Sequence, residues 1–232
     1  MSEFILECRY VTKVYQTPVF QNFNLALRRG RIVGLLGPNG SGKTTLIKMA
    51  AGVLMPTLGE ILIDGKPVGP ETKAIVSYLP DRNALPPKDT VWELCTLYKT
   101  MFADFDEQRA MTLLRDLGID PSMKLSLLSK GNKEKVQLIL TVSRRAKLYL
   151  LDEPIAGVDP ATRDYILETI LGSYAEDATI LISTHLIADV EKVLGDFIFL
   201  KNGTVTRYGD AEEFRQNEGT TLDEAFRRDF RC

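Results

Sequence analysis

Hydrophobic and polar side chains alternate with a period of two over the first sixty-odd residues, the pattern of strands with one buried face. Phe4, Leu6, Cys8 and Tyr10 alternate with Ile5, Glu7 and Arg9. Phe23, Leu25 and Leu27 alternate with Asn22, Asn24, Ala26 and Arg28. Ile61-Leu62-Ile63 runs into Asp64-Gly65, a two-residue hairpin signal.

Ile32-Val33-Gly34-Leu35-Leu36 breaks that rhythm. It is short, continuously apolar and followed by glycines, as expected of a strand buried on both faces. Ala74–Leu79, Leu148–Leu151 and Thr179–Ser183 share this character. Helical patterns separate most of them, which predicts an α/β chain with a mainly parallel sheet. In the middle, Val91, Leu94, Cys95, Tyr98, Met101 and Phe102 recur at helical spacing, as do Ala110, Leu113, Leu114 and Leu117, with Gly118 placed to end the second helix. Both stripes are expected to face the core. Phe197–Leu200 and Thr204–Thr206 flank Asn202-Gly203, a second hairpin. Phe226–Phe230 is expected to be a solvated amphipathic end, with partner contact the second reading.

Composition narrows the picture. The chain has 232 residues, 44% hydrophobic and 26% charged, as in an ordinary soluble globular protein with ample core. Its net charge of −2 supplies no basic field for nucleic acid. No apolar run is long enough to cross a bilayer, and Met1–Ile5 does not begin a signal peptide. The expectation is a cytosolic chain whose membrane work, if any, goes through a partner. Cys8, Cys95 and Cys232 are too far apart for a metal spacing or a disulfide framework.

The chemistry concentrates at Gly37-Pro38-Asn39-Gly40-Ser41-Gly42-Lys43-Thr44. Glycines let the backbone bend through positive φ and leave room for phosphate. The loop amides then point inward, and the next helix adds its N-terminal dipole. Lys43 is placed to reach the β- and γ-phosphates, and the Thr44 hydroxyl to ligate magnesium. Binding of ATP with magnesium follows from this loop between a buried strand and a helix.

Two further strand ends add to it. Leu148–Leu151 leads into Asp152-Glu153. In an open α/β sheet the carboxyl ends of the strands line the ligand crevice. Asp152 would sit near the phosphates and hold magnesium through water. Glu153 would orient or deprotonate an attacking water. His185, the only histidine, follows the strand Ile180–Ser183 and falls on the same edge, where an imidazole could contact phosphate and water.

Together these features closely resemble the nucleotide-binding subunit of ATP-binding cassette (ABC) transporters, over nearly the whole chain and in the family's motif order. The resemblance implies a P-loop NTPase fold with an N-terminal antiparallel β subdomain and a helical arm. It implies one ATPase domain over 1–232, with 1–87 and 142–232 as core and β subdomain and 88–141 as the helical signature subdomain. Tyr15 lies where the family stacks an aromatic ring on adenine, with Tyr10 the weaker candidate. Thr45 falls with the phosphate loop. Asp81 takes the place of the Q-loop glutamine. Leu128-Ser129-Lys130-Gly131-Asn132 matches the signature, Gly157-Val158-Asp159 the D-loop, and His185 the switch histidine.

Ser129 can cap the helix bearing Val136, Ile139 and Leu140, so that its hydroxyl, the Gly131 amide and the helix dipole present an anion site. In the family that site serves the γ-phosphate bound by an opposite subunit. The resemblance thus implies a head-to-tail dimer around two ATP molecules, joined to a separate ABC-type permease at the cytoplasmic face of the membrane. The words Gly37–Gly40 and Leu127–Gly131 look most like subunits of compact peptide or antibiotic exporters. Lys130 and Asn132 depart from the usual glycine and glutamine. Lys130 either adds charge near phosphate or points to solvent. Asp81 keeps a hard oxygen for magnesium but loses the amide donor. Competing readings are a non-catalytic nucleotide-gated regulator and a soluble ABC ATPase acting on ribosome or DNA.

Overall fold

The computed structural model describes residues 3–155, 160–172 and 177–230. Four strands make an antiparallel sheet in the order β2-β1-β4-β5. They are β1 (Phe4–Val14), β2 (Pro18–Arg28), β4 (Leu58–Ile63) and β5 (Lys66–Pro67). The alternation of the first sixty residues buries Leu6, Cys8, Leu25 and Leu27 against the rest of the molecule, but Tyr10 is a correction to it: it is exposed at φ 51 where β1 shifts register against β2, and Ile5 of the opposite set is buried as well. Asp64 and Gly65 both have positive φ, which fits the tight two-residue turn between β4 and β5.

The second sheet has six strands in the order β10-β9-β3-β8-β7-β6. β3 (Ile32–Leu36), β6 (Val76–Leu79), β7 (Leu148–Asp152), β8 (Thr179–Thr184) and β9 (Asp196–Lys201) run parallel, and β10 (Thr204–Asp210) is antiparallel to β9. β7 and β8 are buried along their whole length, which is why their sequences show no alternation. The strand expected over Ala74–Leu79 starts two residues later, because the short helix α2 (Pro70–Lys73) is capped by Ala74. α1 (Lys43–Ala50) follows β3, α6 (Pro160–Leu171) follows β7, and α7 (Ile187–Val190) follows β8.

α3 (Val91–Met101), α4 (Glu107–Asp116) and α5 (Lys130–Val142) share a buried cluster that includes Leu94, Cys95, Leu114, Val136 and Leu140. α5 straddles two clusters, because Leu138 and Val142 pack against the sheet while Val136, Ile139 and Leu140 face the other helices. Met101 is a correction to the expected core stripe. It is exposed, because α3 ends there and Phe102 turns extended to join the Tyr98–Phe105 ring cluster. The C-terminal end is a second correction. α8 (Ala211–Glu218) leads to α9 (Leu222–Asp229), whose Phe226, with Phe230 behind it, packs edge-on against Phe199 of β9. That end is docked on the core, not a solvated tail.

Among the described residues no helix is long and apolar enough to cross a membrane. Cys8 and Cys95 are buried free thiols, and burial pushes both up to about 12, so neither is a ready nucleophile.

Candidate functional site

The Gly37–Thr44 loop joins β3 to α1, and its shape is fixed by close approach. Gly42 sits at φ 108 before the first turn of α1, and a Cβ there would lie 2.8 Å from the Phe20 ring. Lys43 is 7% exposed, and its Nζ donates to the Gly37 carbonyl at 2.7 Å and the Pro38 carbonyl at 3.2 Å. Burial pulls its pKa down, against the opposing pull of Glu153 and Asp152. A cleft of about 380 Å³ opens over this loop, lined by Val19, Asn39, Gly40, Gly42, Lys43, Thr44, Thr45, Asp81 and Glu153. Ser41 is buried beneath the loop and accepts the Gly203 amide on its carbonyl.

Asp152 ends β7 behind that cleft and is 1% exposed. Its Oδ1 accepts the Ser183 hydroxyl at 2.5 Å and the Thr44 hydroxyl at 3.1 Å. Its Oδ2 is buried without a hydrogen-bond partner. Burial pushes the carboxyl up, the two hydroxyls pull it down, and the charges of Asp81 and Glu153 push it up again. A buried carboxylate oxygen without a donor, beside a threonine hydroxyl, is the kind of donor set that suits a divalent cation completed by phosphate and water. The residues present therefore fit magnesium.

Glu153 has a left-handed backbone at φ 52. Its amide holds that turn by donating to the Ser183 carbonyl at 3.0 Å. The side chain lies between two basic side chains: Oε1 is 3.9 Å from Lys43 Nζ, and Oε2 is 3.0 Å from His185 Nδ1. β3, β7 and β8 thus bring Lys43, Thr44, Asp152, Glu153 and His185 to one edge, although they span 143 positions of sequence (185 − 43 + 1).

A profile of the ABC transporter family matches residues 20–156. The chain belongs to that family. It is 32% identical over 216 residues to the ABC transporter ATP-binding protein YtrB of Bacillus subtilis (strain 168), covering 91% of this chain and 74% of the relative. It is 31% identical over 212 residues to the ABC-type transporter ATP-binding protein EcsA of the same organism, covering 88% and 86%. A solved ATP-binding subunit of an ABC transporter superposes with a TM-score of 0.87 at 32% identity, covering 97% of this chain and 98% of that one. A dimeric ATP-binding cassette in a post-hydrolysis state with ADP and Pi shares the fold, with a TM-score of 0.78 at 22% identity, covering 88% and 98%. This ABC chain is an ATP-binding subunit of a transporter and an ATPase, with the P-loop NTPase fold.

Other candidates of the ABC cassette lie elsewhere. Tyr15 does not line the cleft. It sits in the β1–β2 turn, 57% exposed, with Lys13 Nζ 5.0 Å from its ring centre. Ser129 caps α5 by accepting the Asn132 amide, and neither it nor Gly131 lines the cleft. Lys130 points to solvent, with Glu134 3.9 Å away. Asp159 lies outside the described residues.

Sequence reasoning missed Ser183 and Tyr78. Ser183 reads as one more position of an apolar strand, yet it anchors Asp152. Tyr78 has a buried hydroxyl without a hydrogen-bond partner, and burial, Asp152 and Asp81 push it up. A polar residue inside a strand buried on both faces was the available signal in each case. A larger cleft of about 790 Å³ beside β10 contains none of the predicted residues, and its Arg31 is bound to Asp196 and Asp210.

Proposed function

We propose that this subunit hydrolyses magnesium-ATP in a composite site and so powers export of a peptide, antibiotic or similar compound through a separate permease. The observation that carries the reading is the Lys43–Glu153–His185 row, with Asp152 and Thr44 bonded behind it.

In this reading the loop from Gly37 to Gly42 cradles phosphate with its amides, with Asn39, Gly40 and Ser41 shaping the turn and Thr45 following it. Lys43 exchanges its bonds to Gly37 and Pro38 for phosphate oxygens. Thr44 and Asp152, with Asp81 nearby, would hold magnesium. When bound, the metal neutralises charge that develops on the phosphates. Glu153 accepts the proton of the attacking water, and His185 orients Glu153 and reaches the γ-phosphate. Tyr15, exposed at the β1–β2 turn, would stack its ring on adenine. Ser129 and Gly131 of a second, head-to-tail subunit complete the anion site, with Asp159 near the join. This arrangement puts the chain at the cytoplasmic face of a membrane, held there by its permease. The match to ABC transporter ATP-binding proteins supports a permease partner, and the resemblance of Gly37–Gly40 and Leu127–Gly131 supports export.

The test is Glu153→Gln. The amide cannot take the proton, so phosphate release should fall at least about 100-fold, the scale of a general base. ATP binding should persist, and light scattering should show a dimer that outlives the wild-type one. Normal turnover in this variant sinks the role given to Glu153.

A further inference from the structure

Gln137 of α5 is only 4% exposed, in a seam where both of its polar atoms are spent on one short segment. Its Oε1 accepts the Ala84 amide at 3.0 Å. Its Nε2 donates to the carbonyls of Pro80 at 3.3 Å and Arg82 at 3.4 Å. A buried amide is costly unless paired, so this side chain specifies the position of the backbone it grips.

Two other contacts continue the seam. Asn83 Nδ2 donates to the Lys133 carbonyl at 2.8 Å, and Ser77 Oγ donates to the Thr141 carbonyl at 2.8 Å. Positions 133, 137 and 141 are four apart, so they form one stripe along α5. That stripe is fastened along β6 and the segment leaving it. The segment carries Asp81, which lines the cleft with Lys43, Thr44 and Glu153. Among the described residues no hydrogen bond holds the Asp81 carboxylate itself, so its location depends on the backbone of 80–84. The residues of α5 that grip 80–84, Lys133 and Gln137, lie within about two turns of the Ser129 cap.

We propose that Gln137 is a positioning residue for ATP hydrolysis: it clamps segment 80–84 to α5, and so fixes Asp81 at the phosphate cleft relative to the Ser129 end of the same helix. The proposal rests on the reading of the Lys43 cleft as the ATP site. Gln137 touches no reacting atom and acts through Asp81.

The test uses the full chain with Gln137→Met, which keeps volume but removes both polar ends. Amide hydrogen exchange over residues 80–85 should rise roughly ten-fold, the scale of one lost hydrogen bond, while β7 is unchanged. Turnover should fall about ten-fold with KM for ATP nearly unchanged, since small misplacement acts on the chemical step. In an Asp81→Ala background the same change should cost nothing more, because the group being positioned is gone. Unchanged exchange at 80–85 overturns the clamp. Altered exchange with unaltered turnover, or an equal loss in the Asp81→Ala background, overturns the positioning role. If Gln137→Met does not fold, Asn83→Ala opens the same seam from its exposed side and is read the same way. If the wild-type chain binds ATP without turning it over, the ATP-hydrolysis reading fails by itself, and the exchange measurement still decides the clamp.

Discussion

Ser183→Ala tests the magnesium reading where the structure is most explicit. The Ser183 hydroxyl is buried and donates to Asp152 Oδ1 at 2.5 Å. After its removal Thr44 alone donates to that carboxylate, since Oδ2 has no partner. A hydrogen bond to a charged group is worth roughly 1.5–3 kcal/mol, or about one to two pKa units. Asp152 already lies above its usual value, and the variant pushes it further up. The sign follows. A carboxyl raised in the folded state adds stability below its unfolded value and loses it as pH rises through the folded one. A proton therefore competes better with a cation for Asp152 in the variant, and more so in mildly acidic solution. The Glu153 turn should survive, because its amide also donates to the Ser183 main-chain carbonyl, which alanine keeps. The assay is initial phosphate release against free magnesium at saturating ATP, in mildly acidic and mildly alkaline buffer. The magnesium midpoint should move up by about 10- to 100-fold in acid and less in alkali, with turnover at saturating magnesium within a few-fold of wild type. An unmoved midpoint with lowered turnover would refute the reasoning, since Ser183 would then act on Glu153 and not on the metal-binding carboxylate.

Two stability predictions stand apart from the site. Arg144 is buried, donates to the Val76 carbonyl at 2.5 Å, the Ala74 carbonyl at 2.7 Å and both Asp104 oxygens, and lies 3.8 Å over the Phe102 ring. Arg144→Ala leaves those acceptors unpaired and should cost about 3–5 kcal/mol, a fall of roughly 6–20 °C in Tm by calorimetry. Asp106 caps α4 by accepting the Arg109 amide at 3.0 Å, and that bond followed by Arg145 holds its carboxyl below the usual range. Asp106→Ala should cost about 1 kcal/mol in urea melts at neutral pH. Because the folded value is depressed, that contribution is present above the unfolded value of about 3.9 and vanishes as pH falls through the folded one.

Local order was legible where one physical rule acted alone. The period-two strands, the buried runs of the parallel sheet, the two-residue hairpins and the Gly37–Thr44 loop each follow from short-range sterics and burial, and each appears at or near its expected place. Met101 and the Phe226–Phe230 end were misread, since periodicity reports a face but not whether anything covers it. α3 stops before Met101 finds a neighbour, whereas Phe199 waits beneath α9.

The sequence by itself determined the chemistry available: a glycine loop ahead of Lys43, carboxylates at one strand end and a histidine at another. Only the tertiary structure decided who holds whom. Parallel strands end at the same edge, so β3, β7 and β8 bring Lys43, Glu153 and His185 into one row. Ser183 stands out only as a polar residue in a buried strand and Gln137 carries no local signal, and neither names its partner, because the partners lie 31 and 53 or more positions away in the chain. Long-range hydrogen bonds depend on how sheet and helix pack, and that packing is a property of the whole fold.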